Sequence, residues 1–336
     1  MKLLTVTVPC YNSEEYMRNC IESLLPGGDR VEVIIIDDGS KDNTGAIADE
    51  YAEKYPNIVK VIHQENGGHG EGINQGIKHA TGTYFKVVDS DDRMSEDFNL
   101  FLDKLEECEK NGGVDLFVTN YYYTHNDGVG DRSINYSNAL PENRIFGWSD
   151  IKRFRIEQLV TIHSGTYRTE KMRMWGCELP KHTFYEDNLM VYLTLQNVEK
   201  IYYLNKDLYL YTIGREGQSV QHDITMRRYS HQVLVSKLCF TAFHLDDIKD
   251  KKLRQYLAHE LFMLLAIAIT FARLNKNKET DDAVTAMWNE CRAFDKKWAN
   301  HFYYKNGLVF MSMPGKFGRW VSCTIHKLAN KVVRFN

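Results

Sequence analysis

The first ninety residues alternate between short apolar runs and amphipathic stretches. Leu3 to Val8 is an apolar run of strand length, and Pro9 is expected to stop it. Ser13 then stands as a helix N-cap, with Glu14 and Glu15 in the first turn. Ile21, Leu24 and Leu25 continue the apolar face, and Pro26-Gly27-Gly28 ends it. Val31 to Ile36 is almost wholly apolar, as a parallel strand covered on both faces is. A helix from Thr44 to Tyr55 and a strand from Ile58 to Ile62 follow. A Gly-rich turn, Glu65 to Asn74, leads into a helix ending near Ala80, and Thr81-Gly82 opens the strand Tyr84 to Val88. Strands and helices in this alternation predict a doubly wound, mostly parallel α/β sheet flanked by helices.

The pattern continues with a helix over 96–110 and a strand over 114–120 that Tyr121-Tyr122-Tyr123 extends. Alternating burial in a strand accounts for those tyrosines as well as stacking on a ligand does. Residues 133–180 carry no clear period, although Tyr167-Arg168-Thr169-Glu170 has the look of a helix start. An apolar helix begins near Thr183, and Leu208 to Tyr211 reads as a strand. From residue 223 the texture changes to long helices, 226–243, 249–274 and 280–299, so a boundary is expected at His222. This places an α/β domain over 1–222 and an all-helical C-terminal extension over 223–336. The apolar run 257–274 is interrupted by His259, Glu260 and Arg273 and reads as a core helix.

Composition narrows this little. Hydrophobic residues make up 43% of 336 and charged residues 26%, ordinary values for a globular protein. A net charge of −3 gives no reason to expect a nucleic-acid partner. Seven scattered cysteines without a Cys-x-x-Cys pair suit a reducing cytoplasm better than a disulfide framework or a zinc site. The N-terminus runs into a strand without a signal-peptide pattern.

The chemistry lies at strand ends. Asp89-Ser90-Asp91-Asp92 places three carboxylates directly after an apolar strand, where α/β sheets hold ligands. Such carboxylates resist joint ionisation unless a cation sits among them, and their oxygens suit Mg²⁺ or Mn²⁺. The structural alternative is an acidic turn capping the next helix. Asp37 and Asp38 end another strand, and Glu186 and Asp187 open a later helix, where complementing the helix dipole would explain them. The first strand–helix turn, Pro9-Cys10-Tyr11-Asn12, has no glycine, which argues against a dinucleotide-binding Rossmann domain. It also lacks the Gly-rich phosphate loop expected of a sugar nucleotidyltransferase. His69, alone in the Gly-rich turn, reads as an exposed histidine.

Together these segments resemble an inverting family-2 glycosyltransferase with a GT-A fold. The resemblance rests on Val8-Pro9-Cys10-Tyr11-Asn12, Asp37-Asp38-Gly39-Ser40 with Asp42 and Thr44, and Asn66-Gly67-Gly68 with Asn74-Gln75-Gly76. Asp89-Ser90-Asp91-Asp92, Glu186-Asp187, and Tyr211 with Arg215-Glu216-Gly217 complete it, in the family's order over residues 1–222. Gly72-Ile73 stands where many members carry Ala-Arg, so an arginine's role there does not carry over.

The resemblance implies transfer from a UDP-sugar to a saccharide or lipid-linked acceptor, in making cell-surface polysaccharide or glycolipid. A nucleotide-sugar-binding protein without turnover and a sugar nucleotidyltransferase are the alternatives. Tyr11 would lie against uracil and Asp38 would accept its N3–H. Asp89 would meet the ribose or the metal, and Asp91 would ligate Mn²⁺ or Mg²⁺. Asp92 would assist or touch the donor sugar. Pro9, Gly68, Asn74 and Arg215 complete the nucleotide-sugar set, with Arg215 and His222 on a loop that closes over the pyrophosphate. Asp187 would be the catalytic base, supported by Glu186.

Residues 301–336 contain six Lys or Arg and no Asp or Glu. From Pro314-Gly315 onward, Phe317, Val321, Ile325, Leu328, Val332 and Phe335 form one helical face, with Arg319, Lys327, Lys331 and Arg334 toward another. A basic amphipathic helix over 315–336 either packs on the preceding helices or holds the protein peripherally on the inner face of the cell membrane.

Overall fold

The structure is a computed structural model. It describes residues 2–125, 128, 130–155, 158–176, 178–214, 222–275 and 277–333, with only the backbone described for 222, 223, 225 and 329–333. The chain divides into two compact units, Met1–Arg215 and Glu216–Asn336. The boundary expected at His222 adjoins residues 215–221, which lie outside the described set.

The N-terminal unit opens with β1 (Leu4–Cys10), α1 (Met17–Leu24), β2 (Val31–Asp37), α2 (Thr44–Lys54), β3 (Val59–His63), α3 (His69–His79) and β4 (Tyr84–Val87). These four strands pair in parallel in the order β3-β2-β1-β4. Every residue of β1 and β2 is buried, which the continuous apolar runs dictate. β1 does not stop at Pro9. Val88 donates to the Thr7 carbonyl and Asp38 to the Cys10 carbonyl, at 3.0 and 2.9 Å. Alternation then turns Thr7 and Pro9 toward β4, whose last pair is Thr7 with Val87. The N–H that Pro9 lacks is the one that would meet the Val88 carbonyl, so the β1–β4 ladder ends there while pairing with β2 continues to Cys10 and Asp37. Nor does Ser13 cap the helix. Its hydroxyl meets Tyr11 N and the Ser90 hydroxyl, and the helix starts at Met17 with Tyr16 at its N-cap position.

The unit continues with β5 (Arg93–Met94), α4 (Phe98–Lys110), β6 (Leu116–His125), β7 (Arg132–Ile134), β8 (Ile145–Phe146), β9 (Gly165–Arg168), α5 (Thr169–Arg173), α6 (Glu186–Leu195) and β10 (Ile201–Ile213). The described sheet runs β3-β2-β1-β4-β9-β6-β10-β5, with β7 on β6 and β8 on β10. Tyr167 and Arg168 belong to β9 and not to a helix. β9 inserts antiparallel between β4 and β6, pairing Arg168 with Tyr84 and Thr166 with Phe117. The helix begins one residue later. α3 lies close on β1: a Cβ at Gly76 would run into the Thr7 side chain.

The C-terminal unit is helical: α7 (His222–Arg227), α8 (Tyr229–Thr241), α9 (Lys251–Leu274), α10 (Lys278–Phe294), α11 (Lys296–Asn300), α12 (Leu308–Ser312) and α13 (Gly315–Val333). The expected helix over 280–299 breaks at Asp295, whose carboxylate caps α11 by accepting from Trp298 N. α9 has the length and composition of a membrane span, but 56% of its most apolar window is buried. It also buries Glu260 and Arg273, and burial pushes the Glu260 carboxyl up to about 8.

Arg273 ties the unit together. Its guanidinium donates to Asp281 of α10 and to the Met311 and Ser312 carbonyls of α12. Asp281 in turn accepts from Gly315 N at 3.1 Å and Arg319 at 2.8 Å. Arg319 is therefore an internal ion-pair residue and not part of a solvated basic face. Removing one partner of such a pair leaves a buried charge uncompensated. Asp281→Ala should lower unfolding free energy by about 3–5 kcal/mol in urea melts of the full chain. A loss below about 1 kcal/mol, the range of an exposed pair, would contradict this reading.

Candidate active site

Parallel strands point their carboxyl ends to one side, and the candidate residues of the N-terminal unit collect there. β1 ends at Pro9 and Cys10, with Tyr11 following. β2 delivers Asp37 and Asp38, and β4 delivers the Asp89–Asp92 turn. The β1 and β4 loops are joined by a Ser13–Ser90 hydroxyl bond of 2.8 Å. The N-terminus of α3 supplies Gly68 and His69, and that of α6 supplies Glu186 and Asp187.

His69 is not an exposed turn residue. Its Nδ1 lies 2.7 Å from Glu186 Oε1 and its Nε2 lies 2.9 Å from Asp89 Oδ1. Both nitrogens meet carboxylates, so the ring suits the doubly protonated form. Burial alone would lower its pKa. The bonds to Asp89 and Glu186 outweigh that and hold it well above the usual histidine value. Gly70 makes room for the arrangement, since a Cβ there would come within 2.8 Å of the Glu186 side chain.

Asp89 has a second histidine beside it, His163, whose Nε2 is 3.8 Å from Oδ2. That ring stacks on Tyr211 and packs edge-on to Tyr209, with centroids 4.5 and 4.8 Å away. Buried Lys86 holds the adjoining backbone by donating to the His163 and Gly165 carbonyls at 2.8 and 3.1 Å. Burial opposes ionisation of Asp89, but the His163 and His69 contacts keep its carboxyl well below the ordinary range. Asp92 is pushed the other way by burial and by the Asp89 charge.

Glu186 and Asp187 sit in the first turn of α6, whose remaining residues are mostly buried, so the pair is carried on a rigid element. Tyr185 enters the helix in the left-handed region at φ 68°. Glu186 is buried against His69. Burial and the neighbouring Glu186 charge push the Asp187 carboxyl up to about 6. A carboxyl so placed accepts a proton more readily than an exposed aspartate does, while remaining ionised near neutrality.

Several expected nucleotide contacts have structural duties. Asp38 is buried and accepts from Gln64 Nε2, Gly67 N and Gly68 N at 2.6–2.8 Å, which fixes the Gly-rich turn. Three of its roughly four acceptor positions are thereby filled, leaving about one on Oδ2. Gly68 thus offers no N–H, since Asp38 takes it. Asn74 grips the Leu179 backbone through both Nδ2 and Oδ1, at 3.0 and 2.9 Å, so its amide positions the chain ahead of α6. Asp92 is buried, with Oδ2 bonded to the Tyr209 hydroxyl at 2.6 Å and Oδ1 accepting from Thr212 N at 2.8 Å. A donor-sugar contact for Asp92 has no exposed carboxylate to make it. Pro9 is buried beneath α3, whereas Tyr11 is 50% exposed at the mouth, as a stacking residue must be. Arg215 and the His222 side chain lie outside the described residues.

The donor set fits a divalent cation. Asp89, Asp92 and His163 each offer one ligand atom, all within 4.8 Å of one another. Asp91 is half-buried in the same turn. Two carboxylates suit Mg²⁺ or Mn²⁺, and the imidazole suits a transition metal better than Mg²⁺. Sequence reasoning found Asp89 but not His163, which lies in the stretch without a period. Nor did it find the role of His69, which depends on partners 20 and 117 residues away.

Residues 5–174 match the family model "Glycosyl transferase family 2". Glycosyltransferase GlyA of Streptococcus pneumoniae is 32% identical over 238 residues, 64% of this chain and 31% of GlyA, so the chain spans about a third of that protein. The uncharacterized glycosyltransferase EpsJ of Bacillus subtilis is 30% identical over 280 residues, 79% of this chain and 78% of EpsJ. Staphylococcus aureus TarS 1-349, crystallised in complex with UDP-GlcNAc, superposes with a TM-score of 0.70 at 21% identity, covering 97% of this chain and 92% of that one. The mixed sheet flanked by helices, with a helical C-terminal region, is therefore a GT-A-like fold matching TarS, and the chain belongs to glycosyltransferase family 2.

Proposed function

We propose that this protein is a metal-dependent inverting glycosyltransferase that moves a sugar from a UDP-sugar to a hydroxyl of a saccharide or lipid-linked acceptor, in making cell-surface polysaccharide or glycolipid. The observation that carries the reading is the convergence of two acidic sets, the Asp89–Asp92 turn and Asp187, at one end of the sheet. The likeness in fold to TarS, which binds UDP-GlcNAc, supports a UDP-sugar donor. The cysteines of the described residues are all free, which favours a reducing, cytoplasmic setting.

In this mechanism Tyr11 lies against the base and Asp38 offers its remaining acceptor position to the uracil imide. Asp89 and Asp91, with His163 beside them, would hold Mn²⁺ or Mg²⁺, whose positive charge would stabilise the departing diphosphate. Asp187 takes the acceptor hydroxyl proton as that oxygen forms its bond to the anomeric carbon. The anomeric carbon–oxygen bond to the diphosphate breaks at the same time, and its electron pair leaves with UDP. Displacement from the opposite face inverts the centre. Burial, with the charge of Glu186 held by His69, keeps Asp187 raised toward the pKa a base requires.

Asp187→Asn should retain UDP-sugar binding and lose at least about a hundredfold in turnover, the typical scale of general-base assistance. Retention of more than about a tenth of wild-type turnover would remove Asp187 as the base. In the wild-type enzyme a base must be ionised, so kcat/KM should fall as pH drops through about 6. A profile flat down to pH ~4, the ordinary aspartate value, would contradict the raised carboxyl.

Asp91→Asn should weaken UDP binding when Mn²⁺ is present and leave metal-free binding unchanged. Calorimetry of UDP with and without Mn²⁺ reads this directly, and unchanged metal dependence in the variant would remove Asp91 from the metal site.

A further inference from the structure

α13 faces the rest of its unit with small and polar residues. A Cβ on buried Gly318 would collide with the Met313 backbone. Buried Ser322 donates to the Met311 carbonyl, Arg319 pairs with Asp281, and the His326 ring meets Phe271 at 5.9 Å. These four positions share one side of the helix at 3.6 residues per turn. The large apolar residues are on the opposite side. Phe317 is 53% exposed, Trp320 64% and Leu328 57%, with half-buried Val321 between them. Phe317 and Trp320 lie against each other, ring centroids 6.2 Å apart. Lys316 and Lys327 are exposed and flank this stripe on the Trp320 side. The helix thus does not bury its apolar face in the bundle.

We propose that this stripe docks the C-terminal unit on an anionic lipid surface. An aromatic and aliphatic stripe with lysines along one edge, on a helix whose other side is anchored to protein, matches an element lying in the headgroup region. Charge complementarity selects lipid over a second copy of the chain. Lys316 and Lys327 flank the stripe and residues 301–336 contain no Asp or Glu, so two such stripes brought face to face would set like charges together. Arg319 contributes nothing to the docking, because Asp281 holds it. The inference does not depend on the catalytic reading, and its test reads binding alone.

The test is co-sedimentation of the full chain with phosphatidylglycerol–phosphatidylcholine vesicles and with pure phosphatidylcholine vesicles. The expected result is binding to the anionic vesicles that weakens sharply with salt. Joint replacement Phe317→Ser, Trp320→Ser and Leu328→Ser should abolish it. Lys316→Gln with Lys327→Gln should weaken it by roughly fivefold per lysine, and decides the matter should the triple variant not fold. No binding to anionic vesicles overturns the proposal, as does binding unchanged in the lysine variant. Self-association that the triple variant removes, without vesicle binding, overturns it in favour of a second copy.

Discussion

The chemistry of the site depends on one cation placed between two acidic sets. Asp89, Asp92, Glu186 and Asp187 crowd the carboxyl end of the sheet, and four like charges in a partly dry region cannot all be held cheaply. His69 reaches one set with each ring nitrogen, at 2.9 and 2.7 Å. It keeps Asp89 ionised, gives Glu186 a partner in its burial, and leaves Asp187 raised but unpaired by the ring. Without it, α6 would bring a second acidic turn against the first with one cation fewer to offset the charge. The close approach of α3, made possible by Gly70 and Gly76, is what delivers the ring.

The two units solve the same electrostatic problem differently. In the N-terminal unit the charges are left partly unsatisfied and accessible, which suits a group that must take a proton or hold an ion. In the C-terminal unit Arg273 and Asp281 are closed off by carbonyls and by Arg319, so the same kinds of side chain serve packing alone. That closure fixes the rotation of α13. Its small side is committed to the bundle, and the aromatic stripe follows to the outside.

Much of this was legible in the sequence, because the signals are local. An apolar run ending in Asp37-Asp38 or Asp89-Ser90-Asp91-Asp92 announces both a buried parallel strand and the acid at its end. Glu186-Asp187 ahead of an apolar helix reads locally as helix-dipole complementation, and only the family resemblance singles it out. What was not legible depends on distant partners. β9 looks like a helix start because Tyr167 to Glu170 carries no strand period, and only its pairing with β4 and β6 defines it. The Asp38, Asn74 and Asp92 side chains look free in sequence, yet they are engaged by Gly67, Leu179 and Thr212 respectively. Arg319 reads as a surface charge until Asp281, 38 residues away, is seen beside it. His163 gains meaning only when the loop before β9 brings it to Asp89.

The account stands or falls on where the nucleotide and its ion sit. A crystal structure of the full chain with UDP and Mn²⁺, using anomalous scattering to locate manganese, tests this most directly. The predicted result is manganese in contact with the Asp89–Asp92 turn, bridging the diphosphate. Asp187 would then face the space beyond the β-phosphate, where the anomeric carbon of a donor would lie. Manganese or UDP bound away from that turn, or Asp187 on the same side as the diphosphate, would contradict it.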